Sequence, residues 1–293
     1  MQLASTQLIL RARPAKRIAV GGKNCDRKGT MATRKGVHHK RIRIFNSLGK
    51  SHKKALQTFL DCTNQKRNVR HWLHDVINRL PTRKVFIDAG AGNGEVTKAL
   101  ARHFTRTIAI ESNIYFLDQL QHTLPRAEVI GLPILAAQPA TQGDLILCSH
   151  AFYYIPRDQW LVHLERLVSW MSPTDLTIVV LHHRENGCMN MLHHFFGHRF
   201  ELREVADAFL VKHEDQYELA TTLGLAHVET PDLDKAYSVA EFMLNMVDIK
   251  CAPTRQAVEA YLHANFRRRN GGYRIPVHQD FLVIRHRARI KTA

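Results

Sequence analysis

A short apolar run that ends in an acid and continues into alternating glycines is the most informative segment of this chain. The run extends from Lys84 to Ala89 with its acid at Asp88, and the glycines occupy positions 90, 92 and 94. A helix-forming stretch follows, from Val96 to Phe104. Glycine permits a sharp turn and a close approach of the backbone to a ligand. The order strand, tight turn, helix is the place where an α/β sheet holds a nucleotide-like cofactor.

A second acid follows at a spacing that suits recognition of a ribose. Glu111 closes the apolar run 107–110, 23 residues after Asp88. A carboxylate at the end of the next parallel strand can accept hydrogen bonds from both ribose hydroxyls. The two acids and the glycines therefore predict one cofactor site.

The spacing of the glycines separates two kinds of cofactor. A dinucleotide fingerprint has a third glycine three residues after the second, and here that position is Glu95. The alternating glycines, with Asp88 two residues before the first, resemble the cofactor loop of class I S-adenosyl-L-methionine (SAM) methyltransferases. SAM lacks the pyrophosphate that a helix N-terminus attracts. The loop favours SAM, and a nicotinamide or flavin cofactor and a plain strand–helix turn are the alternatives.

The positive charge of the chain is concentrated near its start. Residues 1–54 carry fifteen Lys or Arg and one acid, whereas residues 55–293 carry 27 Lys or Arg and 25 acids. We predict that residues 1–44 are a basic, disordered arm and that residues 45–293 are the SAM-dependent methyltransferase domain. Such an arm can contact nucleic acid or an anionic surface. Residues 1–30 also suit an organelle-targeting segment or an overextended start before Met31.

Hydropathy and cysteine usage limit the class of protein. No apolar stretch reaches the roughly 18 residues that a membrane span needs. The five cysteines are scattered and no CxxC occurs, which indicates a reducing compartment and argues against a disulfide framework or a zinc ribbon. We therefore expect a cytoplasmic monomer that does not bind a membrane.

Strands and helices are predicted to alternate after an N-terminal helix pair that ends at Pro81. Such alternation indicates βαβ units and a mostly parallel sheet. The predicted fold class is α/β: a doubly wound, seven-stranded Rossmann-like methyltransferase sheet with an N-terminal helical cap and the basic arm. The expected strands are 84–89, 107–111, 127–131, 144–149, 175–181, 225–230 and 280–285. The expected helices are 94–104, 113–123, 157–171 and 213–223.

The residues that follow each strand are the site candidates, because ligands of open α/β sheets bind beyond the carboxyl ends of the strands. The predicted cofactor contacts are Asp88, Gly90, Gly92, Gly94, Glu111, Ser112, Leu132, Ser149 and His150. His150 is also the candidate catalytic base or acceptor-positioning group, because imidazole titrates in the useful range. Alternatively, His150 has only a structural role, as the residue that caps the end of the fourth predicted strand. The predicted substrate contacts are Gln65, His150, Tyr153, Tyr154 and His182, and core packing is the alternative for the two tyrosines.

Five histidines between positions 182 and 198 are candidate metal ligands. No HExxH motif occurs and few acids flank the group, whereas a zinc site needs three or four converging ligands. We predict no metal ligands here. The group consists of His182, His183, His193, His194 and His198.

The span from about Ile44 to Arg285 resembles the histamine N-methyltransferase family, a branch of the class I SAM methyltransferases. The resemblance rests on segments in matching order and spacing: the helix pair 53–81, the loop 88–95, and the segments 110–112, 150–155, 177–180, 195–200 and 281–284. It implies a SAM-dependent enzyme that methylates a small-molecule acceptor, with nitrogen as the favoured atom and oxygen as the alternative.

The resemblance also implies where the acceptor binds. Family members hold it with an acid on the first helix pair, an amide after the fourth strand and an amide before the last strand. The corresponding positions are Gln65, His150 and Val277. The acid is absent at Gln65, so the resemblance leaves the identity of the acceptor open.

Two other functions remain open. A nucleic-acid or protein methyltransferase could be recruited through residues 1–44, although no Asp/Asn-Pro-Pro-Tyr/Phe motif and no Pro-Cys pair follows the fourth strand. A non-catalytic SAM-binding protein would keep the same loop without turnover.

Overall fold

The structure is a computed structural model that describes residues 40–45 and 49–287. A seven-stranded sheet in the order β3-β2-β1-β4-β5-β9-β6 forms its centre, and β7 pairs with β8 in a separate sheet. The strands are β1 Val85–Ala89, β2 Arg106–Ile110, β3 Glu128–Ile130, β4 Gly143–Ser149, β5 Met171–His182, β6 Tyr217–Gly224, β7 His227–Thr230, β8 Tyr273–Pro276 and β9 Gln279–His286.

Nine α-helices within the described residues surround these strands. Two of them, α1 and α2, precede the first strand and form the predicted helical cap. The helices are α1 Lys50–Cys62, α2 Gln65–Ile77, α3 Glu95–Ala101, α4 Ile114–Thr123, α5 Trp160–Ser169, α6 Gly187–Phe196, α7 Leu202–His213, α8 Leu233–Leu244 and α9 Arg255–Phe266. No helix in this part of the chain is long and apolar enough to cross a membrane.

The sheet is mixed and places the carboxyl ends of five strands at one edge. Strands β1 to β5 are parallel to one another, and β9 is antiparallel to both β5 and β6. The strand order reverses between β1 and β4, which is the crevice where open α/β sheets bind ligands. The predicted α/β class and seven-stranded architecture are confirmed.

Alternating side chains of the strands build a core on each face of the sheet. Phe86 packs with α2 and α3 on one face, whereas its neighbour Ile87 packs in the larger core on the other face. Successive side chains of a strand point to opposite faces, so an apolar strand buried on both faces supplies both cores.

In the C-terminal half, one secondary-structure prediction and one sheet assignment were wrong. The segment predicted as a helix, 213–223, instead forms β6, which pairs antiparallel with β9 from Tyr217 to Gly224. The preceding helix is α7, which ends at His213. The strand predicted at 225–230 appears as β7, but it pairs with β8 outside the seven-stranded sheet.

The first described residues are packed on the domain. Ile42 is buried, and Arg43 forms a 2.6 Å ion pair with Glu241 of α8, whose side chain is also buried. The backbone amide of Ile42 donates to Pro253 O at 3.0 Å. Residues 40–44 therefore belong to the folded domain and not to the predicted arm. The rest of that arm lies outside the described residues.

Candidate active site

A cavity of about 630 Å³ opens at the carboxyl ends of β1, β2 and β4. It extends from the glycine loop to a wall formed by α1 and α8, and helix α2 and strand β9 also contribute to its lining. All the predicted cofactor and substrate residues except Gly94 line this one cavity. They are Gln65, Asp88, Gly90, Gly92, Glu111, Ser112, Leu132, Ser149, His150, Tyr153, Tyr154 and His182.

The acid after β2 is bonded directly to the glycine loop. The backbone amide of Gly92 donates to Glu111 Oε2 at 2.8 Å, and the amide of Asn113 donates to Oε1 at 2.7 Å. The amide of Gly90 donates to Ile110 O, at the end of the same strand. These bonds fix the carboxylate while each oxygen keeps capacity to accept from a ligand hydroxyl.

Gly90 and Gly92 occupy their positions in the loop for different structural reasons. Gly90 has a φ of +82°, and a Cβ there would lie 2.7 Å from Ala151 Cβ. Gly92 has a φ of +57°, and a Cβ there would meet no protein atom within 4 Å. The surface at Gly92 is therefore open for a ligand to approach the backbone.

Gly94 is the one predicted contact that does not line the cavity. It precedes α3 with a φ of +76°, and a Cβ there would lie 2.7 Å from Leu120 Cδ1 of α4. Its glycine is explained by close packing between two helices.

Asp88 is buried beneath the glycine loop. Its Oδ2 accepts a 2.7 Å hydrogen bond from the Thr97 hydroxyl of α3, which ties the end of β1 to the helix after the loop. Burial raises the pKa of Asp88 to about 7, and the nearby charge of Glu111 acts in the same direction. The carboxyl group is therefore partly protonated near neutral pH.

His150 follows β4 in an uncommon backbone conformation. Its φ of +57° lies in the left-handed region, which residues other than glycine seldom occupy and which recurs at functional sites. Its Nδ1 lies 3.2 Å from the Tyr153 hydroxyl, and its Nε2 lies 2.5 Å from Nε2 of Gln279. Burial, reinforced by the charge of Lys66, lowers the pKa of His150 to about 4.

His182, at the end of β5, is held by two side-chain amides. Its Nδ1 lies 3.3 Å from Gln65 Nε2 and 3.2 Å from Asn186 Nδ2. Its backbone amide donates to the Tyr153 hydroxyl at 2.5 Å. Burial lowers the pKa of His182 well below its usual value. Tyr153 therefore connects the two histidines, whose ring centres are 5.2 Å apart.

Several cavity residues were not predicted from the sequence. Gln279, the first residue of β9, reaches His150, whereas Val277 offers only its backbone oxygen to Gln65 Nε2 at 2.8 Å. The amide that reaches His150 therefore lies two residues after Val277, the position that the resemblance implied. Lys66 of α2 lines the cavity and pairs with Glu95 of α3. The apolar wall consists of Leu56, Phe59, Leu60, Phe242, Met243 and Met246.

The histidine group is dispersed. His182 lies in the cavity, His183 Nδ1 lies 2.9 Å from Asp280, and His194 packs beside Tyr261. Among residues 40–45 and 49–287, no three potential metal ligands converge.

Comparisons with known proteins agree with this geometry. Residues 87–170 match a family model described as a methyltransferase domain. The chain shows no significant sequence match to a curated protein. It is similar in fold to the YcgJ protein from Bacillus subtilis, with 13% identity, a TM-score of 0.52, and coverage of 74% of this chain and 99% of that chain. It is also similar in fold to the N-methyltransferase NodS from Bradyrhizobium japonicum WM9 in complex with S-adenosyl-L-homocysteine, with 11% identity, a TM-score of 0.50, and coverage of 81% and 98%.

The matched segment contains the glycine loop, Glu111 and His150, which are the residues that meet in the cavity. The chain is a SAM-dependent methyltransferase, and its cofactor is SAM. The predictions of an enzyme and of this cofactor are confirmed. The residues also fit the group: Glu111 offers acceptor capacity to a ribose, and the backbone at Gly92 is open to the cavity.

Proposed function

We propose that the chain methylates a small-molecule acceptor, with nitrogen as the favoured atom. The observation that carries the proposal is that one cavity of about 630 Å³ joins the glycine loop to the polar groups around His150 and His182. This volume lies in the range of small-molecule sites. The resemblance to the histamine N-methyltransferase family favours nitrogen over a hydroxyl oxygen.

The proposed cofactor contacts occupy one end of the cavity. Glu111 would accept hydrogen bonds from the ribose hydroxyls, and Gly90 and Gly92 would let the backbone approach the cofactor. Leu132, which is 46% exposed, would cover the adenine at the mouth of the cavity. Asp88, Ser112 and Ser149 complete this end.

The proposed acceptor contacts occupy the other end. Gln65, His150, Tyr153 and His182 form a polar floor there, and Tyr154, which is 64% exposed, lies at the entrance. The aromatic and methionine side chains of α1 and α8 form the opposite wall. Such a wall suits a small organic acceptor better than a polynucleotide strand.

Bound SAM supplies an electrophilic methyl group on a sulfonium centre. The residues of the chain then have to hold the acceptor close to that carbon, in line with the bond that breaks, and exclude water. The lowered pKa of His150 keeps its imidazole neutral near pH 7, so the ring can position the acceptor without repelling a cationic cofactor. His150 is therefore proposed as the acceptor-positioning residue.

The test uses the full chain with methyl-labelled SAM and a panel of amines, N-heterocycles, amino acids and phenols. We expect labelled product from at least one member of the panel. Tyr153→Phe should reduce turnover while S-adenosyl-L-homocysteine binds as tightly as to the wild type, because Tyr153 lies on the acceptor side. Label found only in RNA or protein added to the same reaction would contradict the proposal.

A further inference from the structure

Among the described residues, no carboxylate lies at the acceptor end of the cavity. Within the described residues, the acidic and basic side chains other than histidine that line the cavity are Lys66, Asp88 and Glu111. Glu111 is bonded to the glycine loop, Asp88 lies beneath that loop, and Lys66 pairs with Glu95 of α3. An acceptor on the floor would therefore meet no carboxylate that could pair with a positive charge.

The hydrogen bonds around His182 fix its protonation state. Gln65 Nε2 donates to Val277 O at 2.8 Å, and Asn186 Nδ2 donates to His278 O at 2.9 Å. These carbonyl bonds identify both atoms as amide nitrogens, so each also directs an N–H toward His182 Nδ1. Nδ1 must then be an acceptor, and the imidazole is neutral with its hydrogen on Nε2.

This assignment leaves two complementary groups on the cavity floor. His182 Nε2–H is a donor and Gln65 Oε1 is an acceptor, and no side chain in the described part of the chain hydrogen-bonds to either atom. The His182 ring also lies within hydrogen-bonding reach of the His278 backbone. Both residues line the cavity. Gln279, which also lines the cavity, adds a buried oxygen, Oε1, that accepts no hydrogen bond from the described residues. The floor thus presents only neutral donors and acceptors, which suit an uncharged polar group.

The neighbouring described groups also offer a cation no carboxylate as an ion-pair partner. The amide of Gln279 lies against His150 Nε2, and the Tyr153 hydroxyl lies between His150 and His182. The positive charge of Lys66 is felt at His150, where it opposes protonation. Buried charge without an opposite partner is strongly disfavoured.

We propose that the acceptor binds as an uncharged molecule, with a polar nitrogen or oxygen group on the Gln65–His182 floor and an apolar body against α1 and α8. The acceptor classes that fit are neutral N-heterocycles, aromatic amines and phenols. Alkylammonium compounds are excluded. This inference rests on the proposed methyl transfer at the same cavity and narrows its substrate class.

An uncharged acceptor also satisfies the chemistry of the transfer. The lone pair of the acceptor atom forms the bond to the methyl carbon, while the carbon–sulfur bond breaks and its electron pair goes to sulfur. The positive charge passes to the acceptor atom, and a hydrogen on that atom then leaves as a proton to water. An alkylammonium has no free lone pair and would first have to lose a proton in a site that holds no carboxylate for it.

The test compares matched ligands on the full chain saturated with S-adenosyl-L-homocysteine. Aniline, phenol and benzimidazole are the neutral probes at pH 7.5, and benzylamine and phenethylamine are the charged ones. Calorimetry should show that the best neutral probe binds at least tenfold more tightly than either ammonium. Gln65→Glu should reverse this preference, whereas Gln119→Glu, at an exposed site on α4, adds the same charge and should not.

Different outcomes would contradict the uncharged acceptor and the proposed methyl transfer. Failure to bind S-adenosyl-L-homocysteine would overturn the proposed function itself. Normal binding of that compound, combined with a panel in which no neutral probe binds better than the ammonium probes, would overturn only the uncharged acceptor. A reversal of preference by Gln119→Glu as well as by Gln65→Glu would also overturn it, because the effect would then come from overall charge.

Discussion

The backbone amide of Gly92 donates a 2.8 Å hydrogen bond to Oε2 of Glu111, so the glycine loop and the acid of the next strand form one unit. The acid therefore has two functions in this structure. It holds the loop in place and presents its remaining acceptor capacity to the cavity. A change at Glu111 should alter cofactor affinity through both.

We expect Glu111→Gln to weaken SAM binding by about 30-fold, because charge-assisted hydrogen bonds contribute about 2 kcal/mol. Glu128→Gln on β3 is the control, since Glu128 forms a surface ion pair with Arg106 outside the cavity. Calorimetry with both variants measures the difference. Equal affinities for Glu111→Gln and the wild type would remove Glu111 from the cofactor site.

Gly92→Ala should reduce cofactor affinity without a special loss of stability. Gly92 and Gly197 both have left-handed φ values, +57° and +70°, and a Cβ at either would meet no protein atom within 4 Å. Each alanine should therefore lower the free energy of unfolding by a similar amount, about 1 kcal/mol. Only Gly92→Ala should weaken SAM binding tenfold or more, because only Gly92 lines the cavity. Similar SAM affinities for the two variants would contradict this assignment.

Asp88 should make the protein less stable as pH rises. Its pKa is about 7 in the folded protein and 3.8 ordinarily, so between these values the folded state holds a proton that the unfolded chain has released. The free energy of unfolding then falls across this window, by about 4 kcal/mol at most. Asp88→Asn, which can still accept from Thr97, should abolish this part of the pH dependence. Denaturant titrations at several pH values measure it, and parallel profiles for variant and wild type would contradict the prediction.

His150 should make the protein less stable as pH falls. Its pKa is lowered from 6.5 to about 4, so the unfolded chain binds a proton in this window that the folded state does not. The resulting loss of stability on acidification is about 3 kcal/mol at most. His150→Asn should remove this loss, and asparagine tolerates the left-handed backbone. His122→Asn, on the exposed surface of α4, is the control for the same substitution at a histidine outside the cavity.

The segment 40–45 should contribute to the stability of the domain. Ile42 is 4% exposed and Ile44 is 64% exposed, so the two isoleucines form a matched pair within one short segment. Ile42→Ala should lower the free energy of unfolding by about 2 to 3 kcal/mol, whereas Ile44→Ala should change it by less than about 0.5 kcal/mol. Thermal or denaturant unfolding measures both variants. Equal effects would place Ile42 outside the core.

The segment 213–223 was predicted as a helix, but strand β6 begins within it, at Tyr217. Strand β6 lies at the edge of the sheet and most of its side chains are exposed, so its hydrophobic pattern is weak. What makes it a strand is its pairing with β9, which lies about sixty residues later in the sequence. Propensity within a short window cannot report a partner at that distance.

The proposed cofactor end of the cavity could be predicted from the amino-acid sequence alone. The acid, the alternating glycines and the following helix are neighbours along the chain, and turn geometry with local hydrogen bonding decides their arrangement. Glu111 could be added because adjacent parallel strands end at the same edge of a sheet. Gln65, His150 and His182 were also predicted for the proposed acceptor end, but their contacts with one another and with Gln279 depend on the folded arrangement. Four residues from distant parts of the chain meet there through strand pairing and packing: Gln65 from α2, His150 after β4, His182 from β5 and Gln279 from β9. Burial and the hydrogen bonds among these residues keep the two histidines neutral.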